Sequence, residues 1–399
     1  MVNPSQDRGA PTEPSGLQDR PSPALQEIAE AFALPAAVTA IEPLGQGNVN
    51  DTYRVSCAAR AGASAQFVLQ RLNTSVFERP EWVMANLARL GEHAAGRPWP
   101  QPERPRRWEL PQLLPTRDGG EGDAGTWLRR GADCWRMLSF VADTTSPDTV
   151  LSDAHAAEVG RALGGFHRLV HDLPCEQLHD TLEGFHVTPG YLHHYDQLLE
   201  QGAAGAGTGS GKPEAESWCH RFIAERRNLA PVLEQARASG QLQPRPIHGD
   251  PKVNNVLLDR RSGQAVALVD LDTVKPGLLH YDIGDALRSG CNPAGEETSD
   301  LASVQFDPGR CRAMLAGYLE LARPILSAAD LELIPTAARL LSFELGLRFF
   351  SDHLAGNRYF RCRHRGHNLQ RALVQFTLTE RVEAQQGELE ELVRELSAG

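Results

Sequence analysis

IHGDPKVNNVLLD occupies residues 247–259, AVALVD occupies 265–270, and Arg260–Gln264 join them. Each flank is an apolar, β-branched run closed by an aspartate, and the join carries Ser262-Gly263, which is a hairpin signal. Folded about Ser262–Gly263, the spacing predicts Asn255 opposite Asp270, because each lies equally far from that turn. Two oxygen side chains then meet at the open end, with Asp250 upstream of Asn255 on the entering loop.

Such an arrangement suits magnesium, which takes hard oxygen ligands in octahedral geometry, usually one or two from protein and the rest from phosphate and water. Phosphoryl transfer asks for little else: alignment, and a carboxylate that orients the attacking hydroxyl and accepts its proton. Asp250 is the candidate base, and Asn255 and Asp270 are the candidate metal ligands. Taken singly, each aspartate could be a turn cap or a strand end; it is the joint pattern that points to chemistry. His248 is expected to support the loop by hydrogen bonding. Asp272 is either a further ligand or a strand-end residue.

Working outward, the segments before the hairpin divide the chain in two. Residues 1–23 are rich in Pro, Ser, Gly and charge and are expected to form a disordered leader. ALQEIAEAF at 24–32 has helical spacing. Strand-like runs follow from Val38 to Leu44, from Thr52 to Ser56 and from Gln66 to Arg71, then a helix over 80–93 and a buried strand over 134–141. Beyond 142 the apolar period becomes helical over 153–171, 215–238, 309–325, 329–354 and 367–397, and GAAGAGTGSGKP at 202–213 reads as a flexible loop. A mainly β unit over 24–141 therefore precedes a mainly helical unit over 142–399.

The 399 residues are 41% hydrophobic and 23% charged, with a formal net charge of −11. A general polyanion binder needs a basic field, so no nucleic-acid partner is expected. Seven cysteines at scattered positions, with no CxxC pair, suggest reduced thiols rather than disulfides or zinc. The N-terminus lacks the apolar core of a signal peptide and no run reaches the length of a membrane span, so a cytoplasmic location without membrane association is expected.

H-G-D-x-x-x-x-N at 248–255, followed at 270 by an aspartate closing an apolar strand, resembles the motif of aminoglycoside phosphotransferases, choline kinases and their relatives. It is a cousin of the protein-kinase H-R-D-x-x-x-x-N and D-F-G pair, with Gly249 for Arg and Leu271-Asp272 for Phe-Gly. The resemblance implies an α+β, bilobal, protein-kinase-like fold: a small antiparallel β lobe that binds ATP, and a larger helical lobe that carries Asp250 and the substrate. It also implies where nucleotide contacts belong. Gly45 and Gly47 would bring backbone amides to phosphate, with an ordinary hairpin turn as the alternative. The lysine expected on the third strand is absent, and VLQR offers Gln70 and Arg71; Arg71 is the candidate phosphate cation, or else an outward-facing edge residue. Phe140 and Val141, after Ser139, stand where a hinge backbone would read adenine.

LGQGNVNDTYRV, VLQRLN, IHGDPKVNNVLLD, ALVDLDTVKPGLLHYDIGD, LRFFSDHLAGNRYF and HNLQRALVQ, in that order, are similar to the N-acetylhexosamine 1-kinases. That likeness implies transfer from ATP, with magnesium, to the anomeric hydroxyl of N-acetylglucosamine or N-acetylgalactosamine, and sugar contacts from Asp51, Arg348 and Tyr359. The alternatives for the last two are an ion pair of Arg348 with Asp352 and a half-buried core position for Tyr359. Another hydroxyl acceptor (an aminoglycoside, choline, homoserine or a different sugar) and a non-catalytic pseudokinase remain as rival readings. A polycationic acceptor would want free carboxylates, for which Asp285, Glu296, Glu297 and Asp300 are candidates.

Overall fold

The computed structural model describes residues 23–45, 49–58, 65–97, 99–100, 106–121, 125–205 and 214–398. The leader up to residue 22, Gly47 of the glycine turn and most of the 202–213 loop lie outside the described residues.

Helix α1 (Pro23–Glu30) precedes β1 (Val38–Pro43), β2 (Asp51–Cys57) and β3 (Gln66–Leu72); α2 (Pro80–Ala94) intervenes before β4 (Trp127–Arg130) and β5 (Asp133–Ser139). The five strands form one antiparallel sheet in the order β1-β2-β3-β5-β4. Side chains alternate across its two faces, as the pleat requires. Val55, Leu69, Trp135 and Met137 pack outward with Ala29 of α1 and Phe32. Leu72 and Cys134 point the other way, into the large core shared with α2 and the helical lobe.

The second half begins with β6 (Thr144–Thr145), α3 (Asp153–Val170), α4 (Thr188–Gly205), α5 (Glu214–Arg226) and α6 (Val232–Ala238). Four short strands follow: β7 (Arg245–Ile247), β8 (Val256–Asp259), β9 (Ala265–Leu268) and β10 (Lys275–Gly277). Then come α7 (Leu279–Gly290), α8 (Pro308–Ala322), α9 (Ala328–Glu332), α10 (Ile334–Leu354), α11 (His367–Ala384) and α12 (Gln386–Ser397). The helices expected over 329–354 and 367–397 are thus each two, interrupted at Leu333 and Gln385.

Helix α3 packs so closely on α8 that a Cβ at Gly164 would lie 2.5 Å from the Tyr318 carbonyl oxygen. That approach carries His167, one turn on, beneath the β7–β10 region. Among the described residues no helix is long and apolar enough to cross a membrane. None of the seven cysteines forms a disulfide.

The expected hairpin forms from β8 and β9, but its register differs by one residue from the expectation. Val256 pairs with Leu268 and Leu257 with Ala267, then the register shifts so that Leu258 faces Ala265. At the turn, Asp259 Oδ1 accepts from the amides of Arg261 and Ser262, and Gly263 takes a φ of 71°. The turn is centred on Arg261–Ser262, where Asp259 pairs with Gln264, and the bulge restores one of the two residues lost, so that Asn255 stands opposite Val269, whose amide donates to the Asn255 backbone carbonyl at 2.9 Å. Asp270 lies one residue beyond the pairing, in the left-handed region at φ 65°, ψ 52°.

Candidate active site

The loop from β7 to β8 is held by buried groups from three elements. Asp282 of α7 accepts the amides of His248 and Gly249 at 2.7 and 2.8 Å, and contacts His167 Nε2 of α3 at 2.8 Å. His248 contacts the Val269 carbonyl through Nε2 at 3.0 Å and accepts the Asp250 amide on Nδ1 at 3.2 Å. Burial holds the His248 pKa below its ordinary value, so the ring is a neutral brace rather than an acid. Beneath the loop, the ring of His186 lies 2.7 Å from the Gly249 carbonyl and 2.8 Å from Glu344 of α10. Burial would lower the His186 pKa, but the charge and hydrogen bond of Glu344 outweigh it and raise it on balance.

Gly249 allows this loop its turn. Its φ is +89°, and a Cβ there would stand 2.6 Å from the Thr273 carbonyl oxygen. Thr273 cannot withdraw, because its hydroxyl donates to the His248 carbonyl at 2.8 Å. Gly249→Ala is therefore expected to lose roughly 2–5 kcal/mol of stability through backbone strain and overpacking, read from urea unfolding. A wild-type urea midpoint would contradict the close approach.

The Asn255 amide nitrogen donates to the Asp250 carbonyl at 2.7 Å and to its carboxylate at 3.1 Å. Lys252, in the same loop, binds that carboxylate at 2.7 Å. Burial alone would raise the Asp250 pKa, yet the charge and hydrogen bond of Lys252, with His248 and Arg288, hold it below the usual carboxylate range. Asp250 is thus an ionised acceptor at neutral pH. Lys252 was overlooked in the sequence, although its place two residues after the candidate base is a visible signal.

Asp270 behaves oppositely. Its side chain opens to the surface, but the surrounding protein and the charges of Asp272 and Asp250 push its pKa up to about 6, against the pull of Lys252 and Arg136. A carboxylate raised by neighbouring carboxylates suits a bound cation. With the Asn255 side-chain nitrogen committed to Asp250, its side-chain oxygen and Asp270 are the donor set available, and hard oxygens fit magnesium. Among the described residues no cluster of three or more His, Cys, Asp or Glu could hold a metal by itself, so the remaining ligands of a magnesium ion would be phosphate and water. When bound there, the ion would neutralise charge on the phosphates.

Asp272 is a clamp between the lobes. Arg136 of β5 binds one of its oxygens, and Asn50 donates to the other at 2.7 Å. Arg136 is 1% exposed and Asp272 2%. On the strand beside Arg136, Gln70 fills the position where a lysine was expected.

Arg71 and Asp51, expected to serve phosphate and sugar separately, are directly paired across β2 and β3 and bind each other, with Nε–Oδ2 at 2.8 Å. Arg71 also reaches Asp133 at 3.4 Å. It neighbours Gln70 on β3, so the pleat turns it to the opposite face, and the structure does not bring this pair to Asp250. Gly45 takes a φ of 72° at the end of β1. Phe140 and Val141 connect the sheet to β6. Val141 is buried against Val266 and Ala267, and among the described residues no turn or loop backbone bond uses the Phe140 amide or carbonyl or the Val141 amide.

Arg348 of α10 lies with its guanidinium 4.9, 5.0 and 5.5 Å from the ring centres of Phe185, Tyr191 and Phe360. Burial would lower its pKa, but Tyr191, Tyr359, Glu344 and Asp250 act on it closely enough to raise it on balance. The ion pair with Asp352 weighed from sequence does not form: Asp352 instead accepts the amides of Arg358, Tyr359 and Phe360 at 2.8, 2.8 and 3.0 Å. Helix α10 ends at Leu354, before Tyr359, which is 54% exposed and lies on the surface, not in the core.

Of the four carboxylates that might have met a polycation, Asp285 and Glu296 both bind Arg288. Glu297 binds Arg371 and His367. Asp300 caps the turn at Ala302.

The model of the phosphotransferase enzyme family (APH) matches residues 40–322. The chain is also similar in structure to an aminoglycoside phosphotransferase from Alicyclobacillus acidocaldarius, at a TM-score of 0.58 and 16% identity, covering 97% of this chain and 98% of that one. A microcompartment-associated aminopropanol kinase matches at 0.56 and 17%, covering 91% and 98%. A spectinomycin phosphotransferase, in complex with ADP and spectinomycin, matches at 0.52 and 11%, covering 90% and 98%. At these identities the solved structures establish a common fold of β lobe and helical lobe.

Proposed function

Since the chain belongs to the phosphotransferase enzyme family, and is thereby a small-molecule phosphotransferase, we propose that it transfers the γ-phosphate of ATP, with magnesium, to the anomeric hydroxyl of an N-acetylhexosamine, giving the sugar 1-phosphate. Asp250 orients that hydroxyl and accepts its proton; Asn255 and Asp270 hold the metal; the Phe140–Val141 backbone reads adenine. The ADP complex of the spectinomycin enzyme supports a nucleotide donor.

One observation carries the choice of acceptor: Arg348, ringed by Phe185, Tyr191 and Phe360, stands within electrostatic reach of Asp250. A guanidinium and aromatic faces suit sugar hydroxyls and an acetamide carbonyl. The same cation repels an aminoglycoside or choline, and the carboxylates that would offset it are spent on Arg288, Arg371, His367 and a turn cap. Tyr359 extends this surface on its exposed side.

The test is a panel of free acceptors with radiolabelled ATP. Transfer to N-acetylglucosamine or N-acetylgalactosamine, with an acid-labile product, is expected; transfer to kanamycin or choline but to no hexosamine overturns the reading. Within the panel, Arg348→Met should raise the sugar KM about tenfold or more and leave the ATP KM within about twofold. An unchanged sugar KM would remove Arg348 from the acceptor site.

A further inference from the structure

We propose that Arg136 of β5 is the residue that receives the nucleotide phosphates in place of the absent lysine on β3. The inference deepens the kinase reading above and rests on it.

The β3–β5 register sets Gln70 directly opposite Arg136, so the two side chains share the sheet face that looks toward Asp272. Gln70 Oε1 accepts from Arg136 Nε at 2.9 Å and from Nη2 at 2.7 Å, while Nη2 also binds Asp272. Gln70 is itself fixed through a 3.1 Å bond to Thr52. A neutral amide thus stands at the lysine position and grips one edge of a guanidinium supplied from the next strand.

Three of its five N–H donors, those of Nε and Nη2, are taken, but Nη1 is shielded from solvent and has no acceptor among the described residues. A buried guanidinium nitrogen left unpaired costs its full desolvation penalty. A phosphate oxygen that reached Nη1, which the present packing covers, would remove that cost. Asp272, which Arg136 binds, stands two residues after Asp270, which places the guanidinium near the metal end of the cleft, where phosphate oxygens are required. Arg71 cannot substitute, since it lies on the opposite face and is neutralised by Asp51 and Asp133.

The experiment is calorimetric titration of the full chain with MgATP, MgADP and adenosine. Adenosine shares the base and ribose contacts but carries no phosphate. Arg136→Gln should weaken MgATP and MgADP about tenfold or more, with adenosine within about threefold of wild type. Arg136→Lys keeps a charge facing Asp272, and so the clamp, but lacks the second nitrogen; it should weaken MgATP about fivefold or more. The exchange Gln70→Lys with Arg136→Gln returns a cation to the same pair of strand neighbours and should recover most of the loss.

MgATP binding within about twofold of wild type in Arg136→Lys would overturn the proposal. So would a parallel loss of ATP and adenosine, which would mean that Arg136 only joins the lobes. If Arg136→Gln does not fold, Arg136→Lys and the exchange decide by the same measures. Failure of the kinase reading would show instead in the unaltered chain, as binding of neither nucleotide nor adenosine, and would take this inference with it.

Discussion

Asp250→Asn is expected to lower kcat about a thousandfold while leaving MgATP affinity within about threefold and the fold intact. At about 1.4 kcal/mol per decade this is roughly 4 kcal/mol of transition-state stabilisation. The substitution is nearly isosteric. The Asp250 carbonyl still accepts the Asn255 amide, and the side chain can still offer an oxygen to Lys252 or Asn255. What disappears is the charge that accepts a proton. Lys252 loses its closest partner but keeps Asp270 and Glu296 as counter-charges. Because Asp250 is held below the usual carboxylate range, it is ionised throughout the neutral region, so the variant's deficit should not vary between pH 6.5 and about 8.5. A coupled ADP assay over that range, with nucleotide titration and thermal melting, measures all three quantities. Turnover within about tenfold of wild type would deny Asp250 the role of base.

The parts of this arrangement that could be read from sequence are those written in contiguous residues. The β8–β9 hairpin, the loop bearing Asp250 and Asn255, and the change from strand to helix period after Val141 are local patterns. Register is less accessible: the turn centres on Arg261–Ser262 instead of Ser262–Gly263, and the bulge between Leu257 and Leu258 restores only one of the two residues lost, which leaves Asn255 opposite Val269 and not Asp270. The pairing of Asp51 with Arg71 depends on which strands become neighbours, which no single segment states. Arg136 did leave a signal, as one charged residue inside the otherwise apolar CWRMLSFV. A buried arginine needs a partner, but the partner, Asp272, stands 136 residues further along the chain. His186 and Glu344 left none: each looks like an ordinary residue until the fold stacks them beneath Gly249. The family match ends at residue 322, before α10 and Arg348, so the acceptor contact proposed for Arg348 rests on this chain's own geometry.

Asp282→Asn tests whether the loop, rather than the base alone, is built for function. Asp282 is fully buried and meets three donors: the His248 and Gly249 amides and the His167 ring. An amide in its place presents one oxygen and one NH2, so at least one buried donor faces another donor. Loss of about 3 kcal/mol or more is expected, the range for breaking a buried charged network, read as a lower urea midpoint. The pH dependence has a definite sign. Burial would raise the Asp282 pKa, but His167, His248 and the backbone amides lower it on balance. Its stabilising contribution is therefore complete above the unfolded value of about 4 and is lost as pH falls through the lower folded value. The wild-type stability should drop steeply in that acid window, and the drop should be shallower in Asp282→Asn, which has no proton to take up there. Since the two released amides immediately precede Asp250, kcat should also fall at temperatures where the variant remains folded, while adenosine binding, which we propose the Phe140–Val141 backbone provides, should not. A variant with the wild-type urea midpoint and an unchanged acid slope would mean that the catalytic loop holds its shape without Asp282, and that its geometry is set instead by His186, Glu344 and the close contact of Gly249 with Thr273.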